Sequence, residues 1–215
     1  MKYSGQVLPA SLSDEEIVVR ILHGEKNLYE ILIRKFNLRL FRISMSIVNN
    51  DMEAEDIMQT TYLNAYLQLP NFQGNSSFGT WLTRILINES LLHKKQKIRS
   101  ERFLTVHAGS EFHNETPLKG LMNNELKMML EKAVSNLPEK YRLVFVIREI
   151  QEMSIQETMQ VLDLAESNVK VRLNRAKQML RSELSHYYKS SQLFEFNLLR
   201  CDRIVNRVLD KIESY

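Results

Sequence analysis

Asn168, Lys170, Arg172, Asn174 and Arg175 stand close together in the segment ESNVKVRLNRAKQML. Guanidinium and ammonium groups pair with phosphate oxygens, while amide and guanidinium groups can bond two atoms of one base edge. This is the chemistry of nucleic-acid contact. A second set, Glu53, Glu55, Asp56 and Gln59, presents carboxylates and an amide, groups that can pair with basic side chains. A third lies in the loop NFQGNSS, with Phe72 and Asn75. It leads into a run where Arg84, Lys94, Lys95, Lys97, Arg99 and Arg102 outnumber Glu89 and Glu101. Aromatic and amide groups can stack on or bond unpaired bases, and the cations can hold phosphates by counterion release. Each set has a plainer reading as well. A surface helix needs polar residues opposite its core, and carboxylates and cations are favoured at its N- and C-terminus respectively.

Other chemistries find no support. His23, His93, His107, His113 and His186 are scattered without metal-ligand spacing, and the lone Cys201 allows neither an internal disulfide nor a multi-cysteine zinc site. A nucleic-acid enzyme would need a metal or nucleophile constellation. No cofactor, metal, catalytic residue or small-molecule substrate is expected.

Helices must position these residues. Only six Gly and four Pro occur in 215 residues, and alternating strand-like runs are few. Ser13 with Glu16 reads as a capping box opening a helix that ends near Gly24. Leu28, Ile31, Leu32, Phe36, Leu40, Ile43 and Ile47 recur at helical spacing, and Asn49-Asn50-Asp51 ends that run and caps the next. The following helix carries Ala54, Ile57, Met58, Thr61, Tyr62, Ala65 and Leu69 on one stripe. Another runs from about Phe78 through Trp81, Leu82 and Ile85, with Trp81 expected in the core.

Residues 101–123 contain Gly109, Pro117 and Gly120 and lack periodicity, as a linker would. Beyond them Pro138 suits a helix start. Ile155, Met159 and Leu162 give a short helix, Asp163-Leu164-Ala165 a turn, and Val169, Leu173, Ala176 and Leu180 the stripe of a second helix. Lys170, Val171, Asn174, Arg175 and Gln178 fall opposite that stripe, with Asn168 and Arg172 towards its edges. Two helices joined by three residues match a helix-turn-helix, whose second helix reads the major groove.

The expected fold is therefore all-α: a helical bundle over 12–100, the linker, a helix-turn-helix domain over 124–186, and a C-terminal extension over 187–215. In that extension Phe194, Leu198, Cys201, Val205, Val208, Leu209 and Ile212 share one stripe. Packing against the protein's own domains is the expectation, with Cys201 buried, and a partner-binding helix is the alternative. Net charge is +3 with a pI near 8.9, so any nucleic-acid role rests on local clustering. With one cysteine, no signal-like leader and no apolar run of membrane length, a cytoplasmic location is expected.

Two motif sets narrow this further. LPEKYRLVFVIREIQEMSIQETMQVLDLAESNVKVRLNRAKQML resembles the fourth sigma domain of bacterial extracytoplasmic-function sigma factors, at Leu137, Pro138, Arg142, Glu157, Val169, Lys170, Arg172, Leu173, Arg175 and Ala176. Independently, DMEAEDIMQTTYLNAY and NFQGNSSFGTWLTRILINES resemble the second sigma domain, with Asn88 in its expected place. Asp163 replaces the usual turn glycine, Ala165 the usual N-cap serine, and Ser167-Asn168 the usual Gly-Thr. Asp tolerates turn conformations and Ser167 is expected to act as a shifted cap.

The resemblance implies an alternative sigma factor that lends promoter specificity to core RNA polymerase and helps open DNA. Glu53, Glu55, Asp56 and Gln59 would grip the clamp coiled coil of the beta-prime subunit, and the fourth domain would meet the beta flap. Phe72, Asn75, Asn88, Lys94 and Lys95 would hold the −10 element, with Phe72 and Asn88 beside a flipped base. Asn168, Lys170, Arg172, Asn174 and Arg175 would contact the −35 element. An anti-sigma protein is a further expected partner. The rival is a stand-alone helix-turn-helix regulator, which would bind free duplex without polymerase.

Overall fold

The computed structural model describes residues 12–104 and 121–185, with Arg203 and residues 205–207; at 101–104 and 121–126 it describes the backbone alone. Every regular element among the described residues is helical. Helix α1 (Asp14–Leu22) opens on the expected capping box. The Ser13 hydroxyl accepts from Glu16 N–H at 3.2 Å, and the Glu16 carboxylate accepts from Ser13 N–H at 2.7 Å. After a short 3-10 turn, α2 (Tyr29–Val48) buries Leu32, Phe36, Leu40, Ile43 and Ile47. Asn49 ends it in the left-handed region at φ 55°, and the Asn50 side chain accepts from Glu53 N–H at 3.0 Å to start α3 (Asp51–Gln68).

Helix α4 (Phe78–Leu104) is the centre of the molecule. The Ser77 hydroxyl accepts from Thr80 N–H at its start, and Glu15 of α1 accepts from Phe78 N–H. Buried tyrosines tie α2 to α3: the Tyr29 hydroxyl donates to Tyr62 O at 2.7 Å, and the Tyr62 hydroxyl donates to Ile33 O and Asn37 Oδ1. Burial pushes both phenols well up, so they remain neutral donors.

The second half comprises α5 (Leu121–Ser135), α6 (Glu139–Phe145), a π-helical turn over Val146–Ile150, α7 (Ile155–Leu162) and α8 (Glu166–Ser185). A second capping box, Ser154 with Glu157, opens α7. Asp163 takes φ 52°, supplying the left-handed turn residue that glycine usually provides. Helix α8 begins at Glu166, and Val169 N–H bonds Ala165 O at 3.1 Å. Ser167 thus lies inside the first turn, so the expected shift of the cap does not occur.

The two halves are packed together. Leu143, Val146, Ile147, Met153 and Val161 join the buried cluster of α1–α4, while Ala133, Leu137, Tyr141, Ala176 and Leu180 form a smaller cluster of their own. Trp81 is half-buried against the larger cluster. Residues 105–120, within the expected linker, lie outside the described residues. So does the stripe through Phe194, Leu198 and Cys201; of it, only Val205 is described, and it is exposed.

Helix α4 approaches α2 closely at Gly79, where an added Cβ would lie 2.6 Å from Phe36 Cε1. Gly79→Ala gains helix propensity of about 1 kcal/mol but overpacks a buried ring at a cost of about 1–3 kcal/mol. We expect a lower urea midpoint with an unchanged slope; a raised midpoint would show that the Phe36 ring yields freely.

Burial raises the Glu157 carboxyl, yet hydrogen bonds from Ser154 and Thr80, with Arg39 nearby, outweigh it and hold the group below its ordinary value. A depressed carboxylate contributes stability above its unfolded value and loses it as pH falls through the folded one. Urea titrations across the acid range should therefore show a shallower loss for Glu157→Gln than for the parent, from a lower starting stability; parallel curves would exclude this contribution.

Candidate nucleic-acid interface

The basic run on α4 divides three ways. Arg84, Asn88, Leu92, Lys95 and Arg99 are exposed and recur at three- and four-residue steps along one side. Lys94 turns away and forms an ion pair with Glu139 of α6. Lys97 bonds Glu53 of α3 at 2.5 Å, with His93 Nδ1 3.6 Å from the same carboxylate. Glu89 accepts from Asn64 at 2.8 Å across the α3–α4 seam and so lies off the outward ladder. The Asn75 side chain donates to Gln73 Oε1, leaving both at the tip of the exposed loop that leads into α4. Phe72 is half-buried, its ring 5.1 Å from Trp81 and 5.9 Å from Phe78, so the loop rests on an aromatic shelf.

The acidic set divides as well. Glu53 is committed to α4, whereas Glu55, Asp56 and Gln59 are exposed on α3. Met52, Leu63 and Leu67 share that face, with exposures of 79%, 67% and 73%. An exposed mixture of apolar and acidic side chains has the make-up of a protein contact. The periodicity of α3 pointed to its buried stripe, and the three apolar residues opposite went unmarked. Their signal was present as large apolar side chains off the core stripe.

On α8, Asn168, Lys170, Asn174 and Arg175 are exposed and Arg172 is half-buried at the edge. Lys170 bonds Glu166 one turn back at 2.5 Å. Arg175 Nη1 donates to the Tyr141 hydroxyl at 3.5 Å, tying the polar face of α8 to α6 and holding that phenol below its ordinary value. Val171 is 53% exposed among these polar groups and could meet a thymine methyl in a groove. Among the described residues, no three His, Cys, Asp or Glu side chains converge as metal ligands, and no helix is long and apolar enough to cross a membrane.

Residues 32–99 match the family model for sigma-70 region 2, and residues 127–180 match that for sigma-70 region 4. The chain is 27% identical over 182 residues to the RNA polymerase sigma-H factor of Pseudomonas aeruginosa, covering 80% of this chain and 93% of that one. It is 26% identical over 176 residues to the ECF RNA polymerase sigma factor SigW of Bacillus subtilis, covering 78% and 94%. The chain belongs to the extracytoplasmic-function sigma factors. The sigma factor RpoE of Bartonella quintana, solved with the anti-sigma factor NepR, has the same fold, with a TM-score of 0.62, 20% identity, and coverage of 73% of this chain and 96% of that one.

In this sigma factor the outward ladder on α4 belongs to the region 2 match, and the polar face of α8 belongs to the region 4 match. Because Lys95 is free of the Glu53 and Glu139 pairs, Lys95→Gln should reduce the salt slope for single-stranded DNA binding by about 0.7, the release expected for one phosphate contact. Lys97→Gln should leave that slope within error. Equal reductions in a fluorescence titration across salt concentrations would show that the two cations act alike.

Proposed function

We propose that this sigma factor binds core RNA polymerase, directs it to specific promoters and assists melting, through three surfaces that divide the physical work. The observation carrying the reading is that region 2 and region 4 occur in order on one chain, each bearing its own exposed polar face. The polymerase makes the RNA. The sigma factor itself makes and breaks no covalent bond and works in the cytoplasm.

Docking on the beta-prime clamp uses Glu55, Asp56 and Gln59, with Met52, Leu63 and Leu67 supplying apolar area between the charges. Carboxylates pair with basic side chains and fix register, while the apolar residues lower the dissociation rate. Glu53 joins this surface only by giving up Lys97. The beta flap receives the region 4 half.

Strand capture at the −10 element uses the loop containing Phe72 and Asn75 and the exposed side of α4. A base leaving the stack costs a few kcal/mol, which stacking on an aromatic shelf and amide hydrogen bonds offset. Asn88 lies along the path from loop to ladder, and Lys95 holds phosphate. Lys94 reaches the strand only after leaving Glu139.

Duplex reading at the −35 element falls to Asn168, Lys170, Arg172, Asn174 and Arg175. The Lys170 and Arg172 cations suit phosphates, and the amide of Asn168 and the guanidinium of Arg175 suit base edges. An anti-sigma protein is a further partner in this reading; the RpoE of Bartonella quintana was solved in complex with the anti-sigma factor NepR.

Run-off transcription with core polymerase and sheared genomic DNA tests the function directly: specific transcripts should appear only when this protein is added. Arg175→Ala should abolish promoter-specific transcripts while core affinity stays within about twofold, and Tyr141→Phe should separate loss of the guanidinium from loss of its anchor. Specific duplex binding without polymerase, at nanomolar affinity, would favour the stand-alone regulator instead.

A further inference from the structure

Tyr141 meets the polar face of α8 from a neighbouring helix. Among the described contacts of Asn168, Lys170, Arg172, Asn174 and Arg175, only Arg175 bonds a side chain of another helix. Its Nη1 donates to the Tyr141 hydroxyl at 3.5 Å, whereas Lys170 bonds Glu166 within α8. Tyr141 is itself firmly placed. It is the third residue of α6, its N–H donates to Pro138 O at 2.8 Å, and it is buried in one cluster with Leu137, Ala176 and Leu180. Ala176 follows Arg175 directly, so the cluster that fixes the ring also fixes the stretch of α8 that carries the guanidinium. Tyr141 is only 8% exposed, and its hydroxyl is the end that meets the exposed Arg175. Lys140 Nζ lies 5.0 Å from the ring centroid.

The chemistry of this contact differs from that of an ion pair. An exposed arginine has a long stem with many rotamers, and ordering it on binding lowers affinity by about two- to tenfold. A side chain ordered beforehand avoids that loss. The guanidinium carries its N–H donors in a planar fork, so one bond to a hydroxyl leaves enough for two parallel bonds to a guanine edge. A carboxylate at the same place would occupy both arms of the fork and cancel its charge. A phenol hydroxyl is one neutral acceptor, so it directs the group and leaves it cationic. Arg175 and, to a lesser extent, Lys140 hold that phenol below its ordinary value, as befits an oxygen facing cations.

We propose that Tyr141 is the positioning residue for Arg175 in duplex reading, and that the base so read is a guanine, bonded by the free arm of the fork. This rests on the assignment of the polar face of α8 to the −35 element given above. Without the hydroxyl, the exposed guanidinium would reach phosphates as readily as bases, and phosphate contacts carry affinity without sequence. With it, the group has a narrow range of positions. A base that lacks the two acceptors of guanine then leaves the fork unmatched, with no nearby phosphate to take it up.

Selection of DNA by the reconstituted holoenzyme tests this. The full chain with bacterial core RNA polymerase would be offered a promoter recovered by run-off transcription, its base pairs around −35 randomised, and the bound fraction sequenced. The parent should prefer guanine at one position by about tenfold or more, and Arg175→Ala should erase that preference alone. Tyr141→Phe keeps the ring and removes the hydroxyl. It should lower the same preference by about two- to tenfold and leave the other positions within about twofold. In the Arg175→Ala background, Tyr141→Phe should change nothing further. Leu137→Val loosens the same cluster; it should lower the urea midpoint and leave every preference as in the parent, which separates packing from positioning. A guanine preference untouched by Tyr141→Phe, an equal loss at every position, or a hydroxyl effect that persists without Arg175 would each overturn the positioning role and leave the duplex reading standing. If Arg175→Ala alters no position, the assignment of Arg175 to duplex reading falls, and the role of Tyr141 falls with it.

Discussion

Helix α4 sets the constraint that the rest of the structure obeys. Its 27 residues must pack against α2 and α3, carry α7, meet α6 through the Lys94–Glu139 pair, and still present one side outward. A helix so enclosed can be approached closely only through small side chains. Gly79, Thr80, Thr83 and Ser90 meet that need, all buried. Their hydroxyls would be costly if unpaired, and the helix resolves this locally: Thr83 donates to Gly79 O at 2.7 Å and Ser90 to Leu86 O at 2.8 Å. Thr80 alone among these hydroxyls reaches across the seam, where Glu157 accepts.

The same enclosure sorts charge. A cation on α4 faces solvent, α3 or α6 according to its angular position, and the latter two directions supply carboxylates. Lys97 and Lys94 are thereby drawn into pairs, whereas Arg84, Lys95 and Arg99 remain on the open side. With Glu89 engaged by Asn64, the outward ladder becomes more positive than the linear sequence suggests. A mildly basic chain, +3 overall, can thus hold a locally cationic strip without a large net charge.

Much of this was legible in the amino-acid order because it depends on local rules. The capping box at Ser13, the Asn49-Asn50 stop and start, the apolar stripes of α2, α3 and α8, and the turn at Asp163 to Ala165 all follow from spacing and backbone preference. What escaped was long-range. Lys94 and Lys95 are neighbours in sequence, and nothing local says that one meets Glu139 while the other meets solvent. Glu53 looks like Glu55 until α4 is folded alongside α3. The start of α8 also resisted: with Ala165 before it, a serine two residues on looked like a cap, yet the helix begins ahead of that serine.

The seam between the halves shows why two units expected to hang apart instead touch. Buried guanidinium groups are costly, and burial indeed pulls Arg142 below its usual value. The cost is offset because each N–H used meets a carbonyl that a helix end leaves open, so the pairing desolvates groups that lacked intrahelical partners. Such a contact is specific in geometry and modest in net strength, since carbonyls and guanidinium alike can return to water. Apolar residues of α6 and α7 supply the remaining attraction. A seam built from exchangeable hydrogen bonds over a limited apolar patch is weaker than a seam of interlocked aromatic side chains would be. The aromatic cluster of Phe36, Phe72, Phe78 and Trp81 lies instead within the first half, where it fixes the loop that leads into α4.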